Sequence, residues 1–354
     1  MSSMNFSNSS KHINDVYAEI QYCYDSVSGS CKKNVQPVSL QFSMFAFMAF
    51  AILVTITGNL LVITSIAHFK QLHTTTNCLI LSLAVCDFLL GAFIMPCSAM
   101  RSVYGCWYLG DFVCKLHTST DIMLSTSSIF HLSFISVDRY FAVCTPLLYR
   151  SIVNSVTALL MIITSWVFPA IFAYGMIFSN LNLKGSEHFF ETQVQCVGGC
   201  PVFFSPASAA FSSVFSFFLP GLIMLSIYLK IYVVARRQAR SIKDLTRQIK
   251  VEDGNGSAVS GKHERKKANT LAVVVGVFLI CWTPFFLCNI MDPFIGYSIP
   301  PTLTDALVWF GYMNSSFNPF IYAFFYSWFR KALNIILSGR IFHRDSCRMK
   351  LYSE

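Results

Sequence analysis

Seven long apolar runs punctuate the chain, at about 38 to 67, 74 to 100, 112 to 144, 154 to 178, 205 to 235, 268 to 291 and 302 to 326. Each is long enough for a tilted helix to cross a bilayer, since roughly 20 helical residues span the hydrocarbon core. The connections are short except for 179 to 204 and for 236 to 267, which holds the linker-like stretch EDGNGSAVSGK between basic flanks. The pattern predicts an all-α membrane protein: residues 1–36 as an N-terminal segment, a seven-transmembrane helix bundle within 37–338, and a tail over 339–354. After the last run, the stretch from Trp328 to Leu337 alternates basic and apolar residues at helical spacing and is too short to span. It predicts a short amphipathic helix along the membrane surface.

The third run is the least uniform. Asp121 and Arg139 stand 18 residues apart, roughly 27 Å at helical rise, so a helix here carries a charge near each face of a bilayer. Spacings of three and four from His117 place Asp121, Ser125, Ser128, Leu132, Ile135 and Arg139 on one stripe. An acid facing hydrocarbon costs several kcal/mol, so Asp121 is expected to look into the bundle or a wet cavity and to mark a site.

Other runs carry residues that a plain anchor would not need: Asn59, Asp87, Trp166 to Pro169, Pro220, Pro284 and Asn318-Pro319. Prolines within such helices leave kinks at which a helix can pivot. Asp87, Asn59, Ser128, Asn314, Ser315 and Asn318 are candidates to converge at mid-membrane. A carboxylate among hydroxyls and amides suits a hydrated sodium ion or a proton, and equally a polar network that holds no ion.

Composition and charge narrow the class. With 54% hydrophobic and 12% charged residues and a mean hydropathy of +0.55, the chain is too apolar for an ordinary soluble domain. The net charge of +9 is a topology signal. With the N-terminus outside and the C-terminus inside, the inner loops and tail hold roughly 20 of the Lys and Arg residues. Positive charge confined to loops argues against a nucleic-acid partner. No signal peptide is evident at the start, so the first helix should direct insertion. Asn5 and Asn8 open two N-glycan acceptor patterns. No HExxH, GxSxG or P-loop pattern points to an enzyme. A light-driven pump would need a chromophore lysine, and 302 to 326 contains none; a seven-helix transporter remains as the alternative from another class. Of 13 cysteines, Cys78, Cys86, Cys97, Cys144, Cys281 and Cys288 lie in apolar runs and are expected to be small buried residues. The spacing of Cys196 and Cys200 lacks a neighbouring His and Cys pair for zinc. Cys347 is a candidate for palmitoylation or a plain thiol.

Taken together, Asn59 in TGNLLV, Asp87 in SLAVCDFLL, Asp138-Arg139-Tyr140, Trp166, Pro220, Cys281-Trp282-Thr283-Pro284 and Asn318-Pro319-Phe320-Ile321-Tyr322 resemble the motif set of rhodopsin-like G-protein-coupled receptors, in order and across all seven runs. The stretch from Asn314 to Phe329 further resembles the fingerprint of the trace amine-associated receptors, with a departure at Thr75, where relatives usually have proline. This resemblance implies a plasma-membrane receptor for primary aromatic amines such as phenylethylamine or tyramine. It implies coupling to a heterotrimeric G protein, of the stimulatory class that raises cyclic AMP, and no cofactor beyond a possible allosteric sodium ion at Asp87. Another aminergic or olfactory trace amine receptor is the alternative within the family.

The resemblance also implies roles. Asp121 would bind the ammonium and Tyr312 would hold that acid, with Trp282, Phe285 and Phe286 as an aromatic box or as core packing. Ser125, Ser212, Ser213 and Ser216 would offer hydroxyls, with Ser213 expected to be backbone-bonded. His117, Ile122, Val308 and Trp309 would form walls, and Arg101 with Val202 to Phe204 a lid. Asp138, Arg139, Tyr140, Tyr228, Pro284, Pro319 and Tyr322 would serve activation and G-protein coupling. Cys114 with Cys200 would bridge the third helix to the second outer loop. Cys196 would pair with Cys23 or Cys31, which leaves Cys106 without a clear partner.

Overall fold

A computed structural model describes residues 21–252 and 260–351. Asn5 and Asn8 lie outside the described residues, as does most of the linker-like stretch. α1 covers Val38–His68, α2 Thr75–Tyr104, α3 Asp111–Cys144 and α4 Ser155–Phe178. α5 begins at Pro206 and ends at Glu252, α6 is Ser260–Met291, α7 Pro301–Phe325 and α8 Ser327–Leu337. A short helix, Pro146–Ile152, joins α3 to α4. α3 is the hub, packed against α2, α4 and α5, while α7 closes the bundle between α1 and α6.

Among the described residues, α1, α2, α4, α5 and α6 are long and apolar enough to cross a membrane. α3 and α7 have the length but carry the polar residues singled out above. Those residues face inward. Thr55, Asn59, Asp87, Ser128, Asn314, Ser315 and Asn318 are buried, whereas Phe42, Phe50, Phe93, Ile171, Phe211 and Phe324 are exposed. Such a distribution suits hydrocarbon as the solvent, because an apolar rim costs nothing there and every polar group needs an internal partner.

Two helices contain wide π-turns, Leu90–Ile94 in α2 and Val214–Phe218 in α5. Each stands just ahead of a proline, Pro96 and Pro220 respectively. A proline ring clashes with the carbonyl four residues earlier, and the wider turn makes room for it. Thr75 sits at the first helical position of α2, where a proline is equally tolerated. Thr74 caps that helix by accepting from the Asn77 amide.

Some boundaries differ from the sequence expectation. α2 runs on to Tyr104 and stops at Gly105, whose φ of 68° supplies the left-handed cap. α5 and α6 extend through the basic flanks, and the helix of α6 already begins at Ser260, inside the stretch read as a linker. Cys78 is exposed rather than buried, and Cys97, Cys144 and Cys288 are only partly covered, leaving Cys86 and Cys281 as the buried pair.

One end of the bundle is cross-linked. Cys114 bonds Cys200, Cys31 bonds Cys196, and Cys23 bonds Cys106. The choice left open for Cys196 falls on Cys31, and Cys106, read as lacking a clear partner, takes Cys23. Residues 21–34 thereby lie over the loops, with Cys31 N–H donating to Val197 O and Asn34 N–H to Tyr104 O.

Candidate functional site

Four helices close around one acid. The Asp121 carboxylate on α3 accepts from Tyr312 Oη on α7 at 2.7 Å and from Ser125 Oγ, one turn along α3, at 3.3 Å. One residue before Tyr312, Gly311 lies so close to Trp282 of α6 that an added Cβ would meet the indole at 2.7 Å. Trp282 packs against Phe285 and Phe286 with ring centroids 6.0 and 5.7 Å away. Phe286 stacks on Phe217 of α5 at 4.7 Å, and beside Phe217 the Ser216 hydroxyl accepts from Thr126 of α3 at 3.2 Å. The ring α3–α7–α6–α5–α3 is thus continuous, with aromatic faces and a half-buried carboxylate along it.

Above Asp121, towards the disulfide end, α2 contributes. Ser98 Oγ lies 3.4 Å from both His117 Nε2 and Tyr312 Oη, and His117 Nε2 is 3.3 Å from Ile94 O. Trp107 leans on the His117 ring at 5.1 Å. Arg101 pairs with Asp305 of α7 at 3.8 Å, while Trp309 Nε1 donates to Ser102. Ile122 and Val308 are half-buried on the same helices. Asp305 and Ser98 are missing from the sequence reading; an acid in the first turns of an apolar helix, PTLTDALVW, was the available signal for Asp305.

The serines of α5 divide by partner. Ser212 donates to Ala209 O and is a backbone-bonded hydroxyl. Ser213 accepts from Asn289 Nδ2 of α6 at 2.9 Å. In the loop ahead of α5, expected to act as a lid, Phe203 is buried and Phe204 only partly covered. Phe203 packs on Phe189, Phe190 and Tyr297, and Tyr297 Oη donates to Phe204 O at 3.1 Å. Burial pushes the Tyr297 phenol above its ordinary range, so it stays a protonated donor at neutral pH.

Deeper in the bundle, Asp87 accepts from Ser128 at 3.0 Å, Ser315 at 2.7 Å and Asn318 at 2.7 Å. Asn59 Nδ2 donates to Thr55 O and Ser315 O. Asn59 Oδ1 and both amide atoms of Asn314 are buried without a protein partner. No cluster of three or more His, Cys, Asp or Glu with metal-site geometry occurs among the described residues.

At the opposite end from the disulfides, Asp138 is buried at the centre of a tight cluster. It accepts from Arg139 Nε at 2.9 Å and Nη2 at 2.5 Å, from Thr76 Oγ1 of α2 at 2.9 Å and from Tyr149 Oη of the short helix at 2.9 Å. Arg139 also donates to Thr76. Tyr322 instead packs on Tyr326 and Phe329, and Tyr228 lies beside Tyr232. Tyr140 is half-buried, with Lys230 over its ring. Pro284 and Pro319 sit inside α6 and α7. Thr76 and Tyr149 are absent from the sequence reading, because neither lies on the α3 stripe.

A polar cluster at each depth of a seven-helix bundle is the arrangement of a membrane receptor, and residues 58–322 match the seven-transmembrane receptor domain of the rhodopsin family. The chain belongs to that family and is a multi-pass membrane receptor rather than an enzyme or transporter. It is 54% identical over 333 residues to trace amine-associated receptor 1 of Macaca mulatta, covering 94% of this chain and 98% of that one. Against the Mus musculus receptor of the same name it is 56% identical over 313 residues, 88% and 94% of the two chains. Trace amine-associated receptor 4 of Rattus norvegicus is 47% identical over 335 residues, 94% and 96% of the two. The chain is a member of the trace amine-associated receptor family.

Proposed function

We propose that this receptor binds primary aromatic amines of the phenylethylamine and tyramine type and signals through a heterotrimeric G protein of the stimulatory class, raising cyclic AMP. The observation that carries the reading is the Asp121 carboxylate, fixed by Tyr312 and Ser125 within a ring of aromatic side chains. A primary ammonium needs an anion, and an aryl group needs apolar or aromatic faces a few ångströms away. Tyr312 and Ser125 leave the carboxylate able to accept further donors, which the ammonium supplies. Ser216 and Ser213 offer hydroxyls to a ring substituent. The names of the relatives point to the same class of ligand.

The working orientation puts the disulfide end outside the plasma membrane and the Asp138 end in the cytoplasm, with glycans at Asn5 and Asn8 and with α8 lying along the inner membrane surface. On this reading the amine favours the packing it binds more tightly. α6 pivots at Pro284 just above Trp282, and Arg139 leaves Asp138 as the G protein docks. The Asp87 cluster is the seat of a sodium ion: beside the Asn318 amide nitrogen it offers the carboxylate and the Ser128 and Ser315 hydroxyl oxygens, the ligand type hard cations prefer, and Asn59 and Asn314 present buried amide oxygens without protein partners.

The test is a cyclic AMP assay in cells expressing the chain, run with a panel of amines and with Asp121→Asn alongside. Removing one partner of a buried charge pair costs about 2–5 kcal/mol, so potency should fall by tens to thousands of fold. An agonist whose potency survives Asp121→Asn refutes the ammonium assignment. A panel in which only amines without an aryl group are active would favour an olfactory relative instead.

A further inference from the structure

The indole of Trp282 rests on bare backbone. A Cβ built at Gly311 of α7 would lie 2.7, 2.8 and 2.9 Å from Cζ3, Cε3 and Cη2 of that side chain, three atoms of its six-membered ring. Non-bonded carbons pack no closer than about 3.5 Å, so an alanine there and the indole in its present place exclude each other. Glycine is otherwise a poor choice at this position, since inside a helix it is destabilising relative to alanine. Gly175 in α4 shows the contrast: nothing lies within 4 Å of a Cβ added to it. Trp282 is 5% exposed and opens an aromatic stack that joins α6 to α5. Phe285 meets it at an interplanar angle of 75° and Phe286 at 44°; Phe286 lies flat on Phe217 at 8°, and Phe217 packs back on Phe278 of α6 at 5.4 Å. The place of the indole thus depends on the missing side chain at 311.

Gly311 and Tyr312 are consecutive, so their Cα atoms stand about 3.8 Å apart and one shift of α7 moves both. Tyr312 donates to Asp121 Oδ2 at 2.7 Å and lies 3.4 Å from Ser98 Oγ of α2, so α7 is held at this level by the acid and by α2. Two residues beyond Trp282, Pro284 interrupts α6. We propose that Gly311 is a positioning residue of the switch: the bare α7 backbone is the seat that fixes Trp282 in the resting receptor, and it passes the state of the Asp121–Tyr312 pair on to α6. The inference rests on the reading of Asp121 as the partner of the ammonium. An ammonium at Asp121 shares the carboxylate with Tyr312, and any displacement of Tyr312 that follows carries Gly311 with it, and so the support of the indole. Arg139 is held by Asp138 in this structure, which is the resting arrangement on that reading. A methyl group at 311 excludes the indole from the place it takes at rest. Forms in which the indole has moved off α7 escape that clash, so the balance of states moves away from rest.

The experiment uses purified full-length receptor labelled with 7-fluorotryptophan, whose fluorine sits on Cζ2, away from the three atoms that face Gly311. Fluorine NMR and nucleotide exchange on a panel of heterotrimeric G proteins are recorded without agonist for the parent, Gly311→Ala, Trp282→Phe, the double variant and Gly175→Ala. The chain has five tryptophans, and the signal that disappears in Trp282→Phe is that of Trp282. In Gly311→Ala this signal should shift while those of Trp107, Trp166 and Trp328 stay in place, and basal exchange should rise several-fold; Gly175→Ala should match the parent. Trp282→Phe shortens the ring that the methyl strikes, so in that background Gly311→Ala should add no further change in exchange. An unmoved Trp282 signal overturns the seat. A rise in exchange that Gly311→Ala produces equally in both backgrounds overturns the route through the indole, and exchange that stays level or falls while the signal moves overturns the link to the resting state. If Gly311→Ala does not fold, Trp282→Phe should restore folding, and a double variant that also fails overturns the proposal. Amines that leave the parent inert would sink the ammonium reading alone, because the fluorine signal tests the seat without any ligand.

Discussion

Two acids inside the bundle divide the work by what surrounds them. Asp121 meets two hydroxyls and keeps an open side, whereas Asp87 meets two hydroxyls and an amide and lies fully buried beside the unpartnered atoms of Asn59 and Asn314. A small cation can join the second set through the carboxylate and the lone pairs of the Ser128 and Ser315 hydroxyls. If it does, Asp87→Asn should leave basal amine binding near that of the parent while abolishing the effect of sodium on agonist affinity. The measurement is a binding isotherm in sodium and in a bulky organic cation at equal ionic strength. Coupling between two sites typically amounts to about 1–3 kcal/mol, so the wild type should show a shift of roughly 5–150-fold between the two salts. Sodium sensitivity that persists in the variant places the ion elsewhere or removes it.

At the scale of the helix, the π-turns aim side chains as well as accommodating prolines. Adding one residue to a turn rotates everything before it by about 100°, so the turn at Val214–Phe218 sets which way Ser212 and Ser213 face. Pro220→Ala restores an N–H and removes the clash that favours the wide turn. The expected result is a loss of tyramine potency of roughly fivefold, the worth of about one hydrogen bond, with phenylethylamine changed much less. Equal losses for both amines would mean that the α5 hydroxyls do not read the ring substituent. The seven runs were legible from apolar length alone, since that is what a bilayer demands. The ends of α5 and α6 were not, because Lys and Arg are good helix formers and continue a helix past the point where hydropathy stops. The α3 stripe was legible by spacing. Its partner Tyr312 came from the family resemblance, and Thr76 and Tyr149 were not legible at all, because contacts between helices depend on packing that no local period encodes. The partner of Cys106 was hidden for the same reason: 83 residues separate it from Cys23.

Over the whole molecule, the two ends are held differently. Three disulfides fix one end covalently, while the other rests on the hydrogen bonds that converge on Asp138 from α2, α3 and the short helix. A switch driven by an amine can rearrange only the second, so the resting state should be set by how well Asp138 holds Arg139. Tyr149 is the partner to remove, since it gives Asp138 a single bond, to Oδ1, beside a longer contact with Thr76, and leaves the pair with Arg139 and the Thr76–Asp138 bond in place. Burial, and then the neighbouring Asp138 carboxylate, push its phenol above the ordinary range, with a bond to Thr76 acting the other way, so it donates at every physiological pH and the effect should not depend on pH there. Tyr149→Phe removes a charge-assisted hydrogen bond at a half-exposed position, worth about 1 kcal/mol after solvent screening, or roughly fivefold in the balance of states. Basal nucleotide exchange on the G protein should rise by up to that factor without agonist. Because ligand affinity and the conformational balance are linked, agonist binding should tighten in the same direction. Higher basal exchange with unchanged agonist affinity would show that the amine does not select the state in which Asp138 releases Arg139, and no change in either would show that the Asp138 cluster is not what holds the receptor at rest.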